Sequence, residues 1–403
     1  MSWNDLKNKV YVGDLNYLPE VTEHEHLAEN IELVEITLRE EVVYDVDLTP
    51  AQKAVLAKAL DDMNVPVLQL HAQGTADVIK ACRDAGVRAL MEVITRPYHS
   101  YGHSSWSAEV LAAVRGGADI IKPSITTPRK WMMGEAGVSV KDILGKAVDS
   151  VKCARDAGVS RVTVGLTDAP RSDINYLIEV SGLTHEAGAD TILINDTVGV
   201  AKPALMRYLV KKLKDATGAK IRVHCHNDFG LATANTLAAI EAGADGVETV
   251  VNGADPARSG IAPLAEVVMA LICHYRKDIG IKTENMAEVS RLFADYTGMP
   301  IAEQMPVVAE RNWMYKRDHI MRTITKDESI QFPYSPSLIG EHLHVGLGRG
   351  TGAVGVNAKL KELGLTVGDN AVPVIVEAVN REAIKFKRRL TNEEFVGLVK
   401  DVN

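Results

Sequence analysis

The sequence predicts an α/β fold: a (β/α)8 TIM barrel over residues 30–290, a smaller, mainly helical C-terminal subdomain over 291–403, and an N-terminal extension over 1–29. Three observations carry this expectation. A glycine recurs at Gly86, Gly117, Gly158, Gly188, Gly218 and Gly243, at intervals of 25 to 41 residues. Each is followed within a few residues by a short apolar run, such as Val162-Thr163-Val164 or Thr191-Ile192-Leu193-Ile194. The repeat stops after the helix that holds Cys273 and Asp278.

Each element has a local reason. Glycine takes the left-handed backbone that closes a helix at low cost. The apolar run that follows suits a short strand buried on both faces. Helix, glycine turn and strand at this spacing make a βα unit. The six glycine-led strands join two earlier ones, Ile31–Ile36 and Val65–Leu70, and eight units in series read as a barrel. A doubly wound open sheet is the competing fold, but it carries a Gly-rich phosphate loop near its start and none is visible here. Beyond the barrel, Gly346-Leu347-Gly348-Arg349-Gly350-Thr351-Gly352 is weak evidence for phosphate binding and reads first as a flexible hinge.

Composition narrows the function. The 403 residues are 46% hydrophobic and 24% charged, a globular rather than a disordered mix. A net charge of −8 gives no global attraction for nucleic acid or an anionic membrane. Cys82, Cys153, Cys225 and Cys273 are scattered without a CxxC pair, which fits a reducing compartment. The first 20 residues lack an apolar signal core, and no apolar run approaches the ~18 residues of a membrane span. A soluble, cytoplasmic protein is expected.

A barrel of this kind places its chemistry at the C-terminal ends of its strands. The strongest feature there is His224-Cys225-His226, after strand seven. Strand residues i and i+2 share a face, so both imidazoles enter the barrel mouth and can reach one cation. A single histidine there would read as structural; two on one face read as metal ligands. Two histidines and a divalent ion call for a carboxylate, and Glu40 at the exit of strand one is the candidate, with Asn252 able to add a carbonyl oxygen. Such a set suits zinc, manganese, cobalt or magnesium. Arg39 beside the ion would bind a carboxylate or an enolate oxygen. His71 after strand two and Arg96 after strand three stand at the same rim as substrate contacts. The pairs His99/His103 and His342/His344 read as loop or surface histidines.

The segments Thr37-Leu38-Arg39-Glu40, Asn195-Asp196-Thr197-Val198-Gly199, His224-Cys225-His226-Asn227-Asp228, Gly230–Ala244 and Val251-Asn252-Gly253 resemble the isopropylmalate synthase/homocitrate synthase family. That family belongs to the metal-dependent barrel superfamily that includes HMG-CoA lyase. The tail resembles its second subdomain at His344–Gly350 and Ala358–Gly364. The resemblance implies an acyltransferase. A divalent ion holds a 2-oxo acid, a base takes a proton from an acyl-CoA (usually acetyl-CoA), and condensation with thioester hydrolysis yields a 2-hydroxy diacid. It implies Glu40, His224 and His226 as ligands, with Asn252 as a fourth or behind them. Arg39 would polarise the keto oxygen, Thr197 would hold the substrate carboxylate and Arg171 would meet a distal substrate group. The family's base is a histidine from the partner's second subdomain. His319 is the nearest counterpart, and this implies a homodimer.

Departures from the family pattern fall around the cradle. Glu41-Val42-Val43 replaces Gly-Glu-Gln, Thr167 replaces a Glu, and Asp255-Pro256-Ala257-Arg258 replaces Gly-Glu-Arg. The Ser-x-Gly-x-His motif is absent around His319. An unusual substrate is therefore expected, because changed contacts change which transition state is stabilised. A regulatory C-terminal domain is not expected. Two alternatives stay open: carbon–carbon cleavage of the HMG-CoA lyase type, although that branch's Cys near strand eight is missing, and a non-catalytic metal- and ligand-binding relative.

Overall fold

The computed structural model of the chain describes residues 3–39, 46–72, 74–95, 106–126, 139–255, 258–315, 318–324, 326–368 and 370–402. Eight parallel strands close into a barrel in chain order. They are β1 (Glu32–Glu35), β2 (Val67–His71), β3 (Leu90–Thr95), β4 (Ile120–Thr126), β5 (Arg161–Thr167), β6 (Thr191–Asp196), β7 (Lys220–Cys225) and β8 (Gly246–Thr249). The helices after them are α1 (Pro50–Asp62), α2 (Thr75–Asp84), α3 (Trp106–Arg115), α4 (Val140–Asp156), α5 (Ile174–Glu186), α6 (Pro203–Thr217), α7 (Ala232–Glu241) and α8 (Leu264–Tyr275). The (β/α)8 expectation is met. Closure joins β8 to β1, with Val34 opposite Glu248 and Glu35 opposite Thr249.

Local chemistry sets the ends. Thr49 and Gln52 form a reciprocal capping box at the start of α1, and Ser139 and Asp142 do the same for α4. All six repeat glycines have positive φ, from 69° to 114°. Val34, Val67, Leu68, Ile121, Val162, Ile192, Val223 and Val247 are fully buried in the strands.

The chain divides into two compact units, residues 14–301 and residues 2–13 with 302–403. Residues 3–13 thus group with the C-terminal unit, because Val10 bridges to Tyr334 and the Ser335 amide donates to the Lys9 carbonyl at 2.8 Å. In the first unit α9 (Met286–Thr297) follows the barrel. The second holds a two-stranded pair, β9 (Met314–Tyr315) with β10 (His344–Val345), and α10 (Asp318–Ile324), α11 (Ala353–Glu362), α12 (Ala371–Phe386) and α13 (Asn392–Val402). Its core gathers Met321, Leu347, Val356, Ile375, Val379 and Phe395.

The Gly-rich run is not the open hinge expected from its composition. The Gly348 amide donates to Thr351 Oγ1 at 2.9 Å and the Gly350 amide to Asn380 Oδ1 at 2.6 Å. Asp318 closes the start of α11, accepting from the amides of Gly352, Val354 and Gly355 at 3.1–3.2 Å. An internal carboxylate thus takes the position where a bound anion would sit. Among the described residues, no helix is long and apolar enough to cross a membrane.

Candidate active site

β7 delivers its alternate side chains inward. Arg222 and His224 are buried, and His226 follows at the mouth. The rings of His224 and His226 lie edge to face, with centroids 4.9 Å apart and planes at 62°. His224 Nδ1 is 2.9 Å from Glu248 Oε2 on neighbouring β8, which leaves Nε2 as its free nitrogen. His226 Nδ1 lies 3.2 Å from Asp255 Oδ2 but off the hydrogen-bond direction, so this buried nitrogen has no hydrogen bond. Cys225, between them, is wholly buried beside Thr236 of α7, and burial pushes its thiol up to about 12. It is packing, not a nucleophile.

Below the histidines, polar groups run along the barrel axis. Glu248 Oε1 accepts from Lys122 Nζ at 2.7 Å and from Gln69 Nε2 at 3.0 Å. Gln69 Nε2 also donates to Glu92 at 2.6 Å. Glu92 accepts both from Thr163 Oγ1 and from Arg222 Nη1 at 2.9 Å, and Arg222 Nη2 reaches Glu32 at 3.0 Å. Two buried carboxylates, Glu92 and Glu248, thus face two buried cations, Lys122 and Arg222. Buried charges persist only when paired and hydrogen-bonded in this way.

This surrounding sets protonation. Burial alone would raise Glu248, but Lys122, the His224 hydrogen bond and Arg222 hold it well below the carboxylate range. Burial lowers His224 to about 4, reinforced by His226 and Arg39 against the pull of Glu248. His224 is therefore a neutral imidazole at neutral pH, the form that ligates a metal. Burial raises the Glu35 carboxyl to about 7, although Thr37 donates to it through its amide at 2.8 Å and its hydroxyl at 2.6 Å.

The structure brings some expected residues to this mouth and not others. Arg39 Nη1 donates to Gln69 Oε1 at 3.2 Å, and its charge acts on Lys122 and His224. His71 is half-buried at the end of β2. Thr197, just after β6, accepts from the Asp168 amide at 2.8 Å and so ties β6 to the exit of β5. Arg171, expected at a distal substrate group, is bidentate on Asp168, with contacts of 2.7–3.0 Å. Asn252, left-handed at φ 57°, has its whole amide engaged by Ser290 of α9, giving to its carbonyl at 3.0 Å and accepting from its hydroxyl. These bonds tie the turn after β8 to α9. Glu40, Arg96, His99 and His103 lie outside the described residues. His319 is exposed on α10 of the second unit.

Sequence reasoning missed Glu35, Gln69, Glu92, Lys122, Arg222 and Glu248. The signal was present: each is a polar side chain within a strand that otherwise reads as apolar, and Arg222 stands two residues before His224 on the same face. A cavity of about 880 Å³ lined by Glu32, Arg161, Lys220, Arg222 and Asp245 lies at the N-terminal strand ends, the face associated with stability rather than chemistry.

Fold and site together define an eight-stranded barrel with a His-X-His pair anchored at its C-terminal mouth. The HMGL-like family profile matches residues 30–293, and the chain belongs to that family. It is 32% identical over 402 residues to 2-isopropylmalate synthase of Methanocaldococcus jannaschii, covering 98% of this chain and 76% of that one. It is 31% identical to homocitrate synthase AksA of Methanopyrus kandleri, covering 96% of each. A putative (R)-citramalate synthase of the same organism is 32% identical over 93% of this chain and 73% of its own. With such relatives, the chain is an enzyme of the acyltransferase class. Among solved structures, the Bacillus subtilis HMG-CoA lyase matches 69% of this chain and 97% of its own with a TM-score of 0.57 at 18% identity, a likeness of fold.

Proposed function

We propose that the enzyme condenses an acyl-CoA, acetyl-CoA first, with a 2-oxo acid to give a 2-hydroxy diacid. The observation that carries this reading is the His224/His226 pair, one ring neutral and oriented by Glu248, in a chain whose relatives are named for such syntheses. The donor set fits one divalent ion. The two imidazoles stand with ring centroids 4.9 Å apart, one of them with an unbonded buried Nδ1, and Glu40 would be the carboxylate ligand. Asn252, committed to Ser290, supports the rim. When bound, the ion supplies Lewis-acid polarisation of the keto and carboxylate oxygens of the 2-oxo acid.

The chain's own groups do the rest. Glu248 fixes the His224 tautomer by accepting from Nδ1, a carboxylate–histidine arrangement that raises ligand basicity. Arg39 places a cation where charge develops on the keto oxygen. Thr197, His71 and Arg96 are the substrate contacts of this reading. A base removes the α-proton of the acyl-CoA, the new carbon–carbon bond forms at the keto carbon, and water then cleaves the thioester to release the CoA thiol. His319, supplied by the partner subunit of a homodimer, is that base. The cytoplasm is the setting this reading calls for.

Product analysis tests the proposal. Metal-loaded enzyme, acetyl-CoA and a panel of 2-oxo acids should give one 2-hydroxy diacid together with free thiol. Cleavage of a hydroxyacyl compound into two carbonyl fragments, with no condensation across the panel, would replace it with the lyase reading.

A further inference from the structure

The second unit holds a separate group of metal-ligating side chains. Glu341, His342 and His344 present one ligand atom each, and these atoms lie within 4.8 Å of one another. His344 Nε2 is 3.0 Å from Glu341 Oε2, and His342 Nδ1 is 4.0 Å from the same oxygen. The two rings lie with centroids 4.1 Å apart. We propose that these three residues form a zinc site distinct from the barrel mouth, one that pins the Glu341 turn to β10.

The backbone holds the ligands from two sides. Gly340, left-handed at φ 75°, ends the turn of helix Pro336–Ile339, and the Glu341 amide donates to the Pro336 carbonyl at 3.0 Å. His344 is held by strand pairing, opposite Met314. Ligands placed by separate elements keep their spacing without the metal.

The chemistry suits zinc. Two imidazoles and a carboxylate are a recurrent protein donor set for it, with a fourth position left for water. Four ligands at bonds of about 2.0–2.1 Å stand roughly 3.3 Å apart, and the observed 3.0 and 4.0 Å fall on either side of that value. The Glu341 side chain is only 2% exposed and already shares a hydrogen bond with His344, while His342 is 72% exposed and gives an ion a way in from solvent. The other nitrogen of His344, Nδ1, faces Glu310 Oε1 at 3.9 Å, on the side where an outer carboxylate steadies a ligating histidine.

Zinc stoichiometry of the full chain, by equilibrium dialysis against zinc and elemental analysis, tests the site. His342→Ala should carry about one zinc fewer per chain than wild type, and His224→Ala should lose a different one. In zinc, the thermal midpoint of wild type should rise further than that of His342→Ala. His342 is exposed, so this variant keeps its fold; His344→Ala is the second arm. Wild-type zinc stoichiometry and affinity in both variants would overturn the proposal, whatever the barrel histidines bind.

Discussion

A histidine buried among charges is ordinarily a structural group, and the surroundings of His224 support the ligand role proposed for it. Lys122 and Arg222 spend their charge on Glu248 and Glu92, so Glu248 is left to orient the ring rather than protonate it. His224→Ala should therefore remove the divalent ion and the turnover together; elemental analysis showing wild-type metal content would contradict the assignment. Glu248→Gln should weaken the same ion by about 10- to 100-fold, the usual effect of losing an orienting partner, measurable by metal competition. Glu35 gives a pH prediction. Its carboxyl is at about 7 in the folded chain against 4.5 unfolded, chiefly through burial. Between those values the folded state holds a proton that the unfolded state has released, so stability falls as pH rises through the window, and the loss is complete above it. Glu35→Gln mimics the protonated acid. Urea midpoints should show the variant gaining on wild type from about pH 4.5 to 7; an equal difference at both ends would contradict this.

At the scale of elements, the strands carry two codes at once. Their apolar positions made the barrel legible, because six glycines and eight short runs at βα spacing leave few other architectures. The His-X-His pair was legible too, from period two alone. The polar interior was not: Val247-Glu248-Thr249 and Ile221-Arg222-Val223 read as buried strands whose single charge looks like noise until the neighbouring strands are in place. The Gly-rich run misled for a similar reason, since Asp318 lies 34 residues before Gly352 and only the fold brings them together. Arg222→Met should cost about 3–5 kcal/mol, because it leaves Glu92 buried and unpaired. Arg161→Ala, which removes a partly exposed ion pair with Glu32, should cost about 0–1 kcal/mol. Chemical denaturation of the two variants compares them directly, and equal losses would show that the interior pairs do not hold the barrel.

For the whole molecule, the proposed reaction assigns substrate binding and polarisation to the barrel and the base to His319 of a partner chain. That division has a clear signature. His319→Ala should keep its metal and lose rate by about 10²–10⁴-fold, the usual worth of a general base. Mixing His319→Ala chains with His224→Ala chains should then restore activity, because one site of the mixed dimer regains both an intact barrel and an intact His319. No recovery in a verified mixed dimer would place the base elsewhere. The choice of 2-oxo acid was not legible in the sequence, since residue types after the strands do not give the shape of the rim. The most direct test of the central claim is thiol release from acetyl-CoA across a panel of 2-oxo acids, with and without added divalent ion, in wild type and His224→Ala. The account predicts release with one acid, dependent on the ion and absent from the variant. Release that persists in the chelated enzyme or in His224→Ala would contradict it.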